Sequence, residues 1–217
     1  MGQLVEQLAP AHGCEVAGIA EVDAPVAQVL GRAGPIDVAI DFSLADAVAA
    51  NVVTLAARHI NVVIGTTGWQ SREVELKAIA REAGIGVLAA ANFSIGMQVF
   101  AMVVEEAARR FARLGDFGAW IHEAHHAAKK DAPSGTALLL QGAMTGQGYT
   151  RAIDMSSTRA GTIPGTHVVG FDGHAETVTL THSVRDRAVF AHGALEAAKW
   201  LAGRHGWFSM RDMISPD

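Results

Sequence analysis

The arrangement of residues 1–93 constrains the fold more than any other feature of this chain. Four short apolar runs, at residues 15–20, 37–42, 61–64 and 86–91, are interspersed with helical patterns at residues 44–58 and 71–83. Uninterrupted apolar runs of this length read as strands buried on both faces. Joined by helices, they form a parallel sheet covered on both sides. A helix over residues 1–8 precedes them, and Ser71 reads as the N-cap of the helix over residues 71–83. In such sheets ligands bind beyond the carboxyl ends of the strands. Glu21, residues 65–68 and residues 92–94 fall at those ends.

The pattern changes after Ser94. A long amphipathic helix over residues 97–112 leads to a strand at residues 118–122, and residues 137–145 form a further helix. Residues 155–159, 166–171 and 176–183 alternate apolar with polar and are separated by glycine. Alternation of that kind predicts antiparallel pairing, with one face open to water or a partner. Residues 189–201 read as a helix, and residues 208–214 as a short closing segment. The fold class is α/β: a Rossmann-like parallel-sheet unit, then an α+β unit with a mixed or antiparallel sheet.

Composition narrows the function classes. Half of the 217 residues are apolar, enough for a real core, and the formal charge is −5. Beyond Lys129-Lys130 there is no basic run, which argues against a nucleic-acid partner. The one cysteine, Cys14, reads as a small buried hydrophobe and suits a reducing cytoplasm. The apolar stretches break well before the ~20 residues of a bilayer-crossing helix, so no membrane role is expected.

The chemistry concentrates in residues 123–136, E-A-H-H-A-A-K-K-D-A-P-S-G-T. Adjacent imidazoles offer protons that move near neutral pH. Lysines add fixed positive charge beside them. Ser134, Gly135 and Thr136 open an apolar helix whose unpaired N–H groups attract an anion. Together these features suggest protonation of a small acidic substrate. Adjacent side chains on an extended segment diverge, which argues against a metal reading of His122, Glu123, His125 and His126. His12, His59, His174 and His205 read as surface or loop residues. Arg159 and His167 leave three readings open: ordinary surface, pocket lining or subunit contact. Gly65-Thr66-Thr67-Gly68 is either a tight turn or a set of N–H and hydroxyl donors for a nicotinamide ribose or diphosphate. Glu21 is either surface charge or the carboxylate that receives the adenosine ribose hydroxyls. Val22 and Asp23 follow it with no arginine, which favours NADH over NADPH.

These residues resemble, in order over nearly the whole chain, the dihydrodipicolinate reductase (4-hydroxy-tetrahydrodipicolinate reductase) family. The resemblance is carried by D-V-A-I-D-F-S at residues 37–43, I-G-T-T-G at 64–68, A-A-N-F-S-I-G at 90–96 and R-A-G-T-I-P-G-T-H at 159–167. The E-A-H-H-x-x-K-x-D-A-P-S-G-T signature is the most specific. The resemblance implies reduction of 4-hydroxy-tetrahydrodipicolinate with NADH or NADPH, in lysine synthesis through diaminopimelate. It implies that His125 is the proton donor and acceptor and Lys129 a second donor. His126, Gly135 and Thr136 would hold the carboxylates of a small dicarboxylate substrate. Gly65, Thr66, Thr67, Ala90, Ala91, Asn92 and Phe93 would bind the cofactor, with Glu21 on the ribose. It further implies a dinucleotide domain of residues 1–93 and 188–217, a substrate and tetramerisation domain of residues 94–187, and a homotetramer.

One departure bears on the cofactor. The family opens with a strand and a glycine loop, G-x-x-G-R-M-G, of which Met1-Gly2 match only the last two residues. The expectation is a start inside a longer gene product, or a truncated form; the chain alone should bind NADH poorly and be unstable. Tight NADH binding by calorimetry with a cooperative melt would contradict it. Two other readings compete: another Rossmann amino- or keto-acid oxidoreductase resembling aspartate dehydrogenase, and a pseudoenzyme with impaired cofactor binding. The H-H-x-x-K arrangement argues against both.

Overall fold

The computed structural model describes residues 1–215. In chain order the elements are α1 (Gly2–Leu8), α2 (Val26–Leu30), β1 (Val38–Asp41), α3 (Ala45–Ala56), β2 (Asn61–Ile64), α4 (Glu73–Ala83), β3 (Gly86–Ala89) and α5 (Ile95–Phe111). They continue with β4 (Gly118–His125), α6 (Gly135–Gly146), β5 (Ile153–Arg159), β6 (Thr166–Asp172), β7 (Thr177–Ser183), α7 (Ala188–Leu201), β8 (Gly206–Phe208) and α8 (Met210–Ile214). The chain divides into two compact units, Met1–Ile95 with Ala188–Asp217, and Gly96–Arg187.

The first unit is built on a parallel sheet of order β1-β2-β3-β8. Its central strands are buried on both faces, which is why they read as unbroken apolar runs. Val62 and Ile64 pack with Val48, Val52 and Leu76 of α3 and α4, while Val63 packs on the other face with Ala194, Ala197 and Leu201 of α7. Asn61 is buried but fully used. Its amide donates to Leu201 O (2.8 Å) and Arg204 O (3.1 Å), and its carbonyl accepts from Gly86 N (2.7 Å).

Two expectations fail in this unit. Residues 15–20 form no strand and are largely exposed. An apolar run becomes a strand only where its backbone N–H and C=O groups find a ladder partner. Residues 15–20 find none: they join neither sheet, and β1 pairs with β2 alone. Glu21 therefore ends no strand; it lies exposed in a turn closed by backbone hydrogen bonds with Ala24. Ser71 is no N-cap, because residues Gln70–Arg72 form a 3-10 turn and α4 begins only at Glu73. The Trp69 indole, donating to Thr66 O at 2.7 Å, pins that turn to the end of β2.

The second unit carries a mixed sheet of order β5-β4-β6-β7. β4–β6 and β6–β7 are antiparallel and β5 runs parallel to β4, so the sheet is the mixed one of the two forms expected, and only the strand at residues 155–159 departs from antiparallel pairing. The reason is the connection: α6 crosses over between β4 and β5, the link that parallel neighbours require. One face of the sheet packs on α5 and α6 through Ile121, Val169, Phe171, Val104 and Leu140. The other presents the half-buried Trp120 and His122, with the exposed Ser156 and Thr179. Among the described residues no helix is long and apolar enough to cross a membrane.

Candidate active site

The centre of the second unit's chemistry is the carboxyl end of β4. Pleating puts Ala119, Ile121, Glu123 and His125 on one side of that strand. The first two enter the core, and Glu123 follows them at 0 % exposure. A carboxylate so placed needs a countercharge and hydrogen bonds. Arg159, the ladder neighbour of His125, supplies both. Its Nη1 donates to Oε2 at 2.9 Å and its Nη2 to Oε1 at 2.7 Å. The Ser134 N–H adds a bond to Oε1 at 3.2 Å, and His125 Nδ1 makes a short hydrogen bond to Oε2. Burial raises the Glu123 carboxyl, but the bonds from Arg159, Ser157 and His125 outweigh it and bring it down to about 2.

Around His125 the charges are balanced differently. Burial lowers its imidazole and Glu123 opposes this, while Lys129 and Arg159 add to the lowering. Gly165 adopts φ +149°, and a Cβ there would lie 3.2 Å from His125 Nε2. His167, the ladder partner of Glu123, is 4 % exposed and meets His125 edge-on with ring centroids 5.1 Å apart. Its Nε2 lies 3.2 Å from Ser134 Oγ, which also caps α6 by accepting from Ala137 N. Burial, with repulsion from His125, pushes His167 down to about 4.

The remaining candidates lie on the loop from β4 into α6. His126 begins it and accepts the Lys129 N–H on its carbonyl at 3.1 Å. Lys129 Nζ pairs with Asp131 Oδ1 at 2.7 Å. The Asp131 carboxyl is held low by Lys129 first, with the Gly135 N–H contributing. A cation and a helix start thus already share one carboxylate. Gly135 is exposed with open space where a Cβ would stand, and Thr136 follows it, half-buried, in the first turn. His125, Lys129, His126, Gly135 and Thr136 therefore fall on one short stretch of this unit. Among the described residues, no three His, Cys, Asp or Glu side chains are grouped as metal ligands.

In the first unit the strand ends are shaped mainly by backbone. Asp41 Oδ1 accepts from Ser43 N (2.8 Å), Ser43 Oγ (2.6 Å) and Thr66 Oγ1 (2.9 Å), locking the ends of β1 and β2 together. Gly65 sits so close to Phe42 that a Cβ would fall 2.0 Å from the ring. Thr67 is exposed, and Asn92 turns its carbonyl back to Ser94 N at 2.8 Å. Phe93 is 2 % exposed and packs in the core, with its carbonyl close against Gly193. A cavity of about 370 Å³, within the range of small-ligand clefts, is lined by Thr66, Trp69, Ala90, Ala91 and Trp207 among others. Gly65, Thr67, Asn92, Phe93 and Glu21 do not line it.

Sequence reasoning gave no role to Glu123 or Asp41, and left those of Arg159 and His167 open. The signal for Glu123 was its two-residue spacing from His125, which shares a strand face.

Comparison with known proteins agrees with this architecture. Residues 3–93 match the family described as dihydrodipicolinate reductase, N-terminus, and residues 96–214 match its C-terminus. A 4-hydroxy-tetrahydrodipicolinate reductase of Methanoculleus marisnigri is 36% identical over 215 residues, covering 92% of this chain and 82% of the relative. One from Xanthomonas euvesicatoria is 43% identical over 194 residues, covering 87% of this chain and 77% of the relative. A dipicolinate-bound dihydrodipicolinate reductase from Paenisporosarcina sp. TG-14 shares the fold, with a TM-score of 0.73 at 21% identity over 91% of this chain and 82% of that one. The chain belongs to the dihydrodipicolinate reductase family.

Proposed function

We propose that this chain reduces 4-hydroxy-tetrahydrodipicolinate to tetrahydrodipicolinate with a nicotinamide dinucleotide, in lysine synthesis through diaminopimelate. The observation that carries this is the end of β4: a mobile-proton group, His125, stands beside a cation and a helix start that together hold a carboxylate. A small dicarboxylate would replace Asp131 there, one carboxylate on Lys129, His126 and the N–H groups of Gly135 and Thr136. His125 exchanges a proton with the ring, and Lys129 is the second donor. Over the reaction the substrate loses water and gains a hydride and a proton. The dinucleotide, when bound, supplies the hydride.

On this reading residues 1–93 and 188–217 form the dinucleotide domain, and residues 94–187 the substrate and tetramerisation domain. Gly65, Thr66, Thr67, Ala90, Ala91, Asn92 and Phe93 hold the dinucleotide. Small residues and a close-packed glycine at the strand ends, with the cavity over Thr66, Ala90 and Ala91, fit a flat ring and its ribose. Glu21, with Val22 and Asp23 beside it, receives the adenosine ribose and favours NADH, since a 2′-phosphate would meet two carboxylates. The sheet face with Trp120 and His122 is the contact for a cytoplasmic homotetramer.

Deuterated NADH supplies the test. Incubation with hydroxy-tetrahydrodipicolinate should yield tetrahydrodipicolinate carrying the label, by mass spectrometry. Labelled product from an amino or keto acid, and none from this substrate, would overturn the reading.

A further inference from the structure

Glu123 has no place in the proton-transfer roles given above, yet it is the most enclosed charge at the site. It is fully buried, while its carboxylate touches three elements: β5 through Arg159, the start of α6 through Ser134 N, and His125 two residues along its own strand. An imidazole has two nitrogens, and the bond at one decides which state the other presents. An ionised carboxylate can only accept, so the His125 atom facing it must carry a hydrogen. The atom on the far side of the ring, Nε2, then holds the exchangeable proton or the lone pair. Gly165 stands at that side, where any side chain would come within 3.2 Å of Nε2, and its φ of +149° favours glycine.

We propose that Glu123, held ionised by Arg159, is the positioning residue that fixes His125 with its Nδ1 protonated and its Nε2 turned to the substrate through the gap left by Gly165. The same carboxylate anchors Ser134 N, so it ties the proton-transfer ring and the anion-binding start of α6 to one rigid point. His125 is also faced by His167, Lys129 and Arg159, and all three disfavour its charged form or are repelled by it. Glu123 is the one carboxylate among the groups acting on His125, and the one that favours its charged form. Removing it leaves the ring unoriented and harder to protonate.

This inference rests on the proton-transfer role of His125, but its first test does not. Nitrogen-15 NMR of histidine-labelled wild-type protein at pH above the imidazole transition reads the tautomer directly. The expected spectrum has Nδ1 protonated and Nε2 bare at His125; the reverse tautomer would sink the proposal whether or not the protein is a reductase. Glu123→Gln is the second test. In the folded variant kcat should fall by about 10–10²-fold or more, KM should change less, and the limb of the pH profile assigned to His125 should move to lower pH. Arginine at 159 then faces a neutral amide, so a misfolded variant leaves the wild-type spectrum to decide. Folded Glu123→Gln with unchanged kcat and pH profile would overturn the proposal.

Discussion

The candidate sites of the two units are built on different principles. At the end of β4, polar and charged side chains hold one another: Glu123 with Arg159 and Ser134 with His167 across distant parts of the sequence, and Lys129 with Asp131 locally. At the ends of β2 and β3, small residues and backbone shape the surface, with Asp41 the main side-chain tie. A site that moves protons needs fixed charge in a dry place, where electrostatics are strong and misplacement is costly. A site that binds a large flat cofactor needs room and backbone donors. The first half should therefore be fragile to charge changes, and the second to added volume.

The largest contrast should come in activity. His125→Gln should lower reductase turnover by about 10²–10⁴-fold with little change in melting temperature, the usual size of a general acid–base contribution. Equal loss from Thr67→Ala, which is exposed in the first unit, would erase the difference between the halves.

Next comes charge removal. Arg159→Ala leaves Glu123 buried and uncompensated and should cost about 3–5 kcal/mol in denaturant unfolding. Arg72→Ala, which breaks the exposed pair with Glu75 (2.5 Å) in the first unit, should cost far less, because water screens both charges. Comparable costs would show that burial of the Glu123 pair carries no special weight.

The third difference is in pH. His167 is held at about 4 when folded, against about 6.5 for a free imidazole. The unfolded chain therefore binds the extra proton, and stability is lost as pH falls from about 6.5 to about 4, by up to about 3 kcal/mol. Glu123, lowered to about 2, adds a second loss as pH falls from the ordinary carboxylate range towards that value. His167→Asn should flatten the upper part of this decline in melts run across pH. An unchanged slope would remove His167 as its cause.

Added volume should act on the other half. Gly65→Ala drives a methyl into Phe42 and should cost about 1–3 kcal/mol, with weaker NADH binding by calorimetry. Smallest is local: amides of residues 15–20, which lack ladder partners, should exchange with solvent far faster than those of residues 61–64.

How legible each half was in the sequence follows the same division. The 123–136 stretch could be read because its imidazoles, lysines and helix start are contiguous, and pleating is a local rule. The pairing of Glu123 with Arg159 could not, because it depends on the β4–β5 register, which aligns His125 with Arg159. β2 and β3 were plain because burial on both faces leaves an unbroken apolar run. Residues 15–20 show the same run, yet a strand also needs a ladder partner, which these residues do not have, and composition is blind to that. Ser71 failed for a similar reason: the indole bond of Trp69 to Thr66 sets where the helix starts, not the nearest hydroxyl.

We propose that the end of β4 delivers a proton during reduction of a cyclic dicarboxylate by a nicotinamide cofactor. Following NADH oxidation with freshly prepared hydroxy-tetrahydrodipicolinate, for wild type and for His125→Gln, tests it most directly. Substrate-dependent oxidation is expected of the wild type, and the variant should lose it by about 10²–10⁴-fold. Turnover that is equal in the two proteins would contradict it.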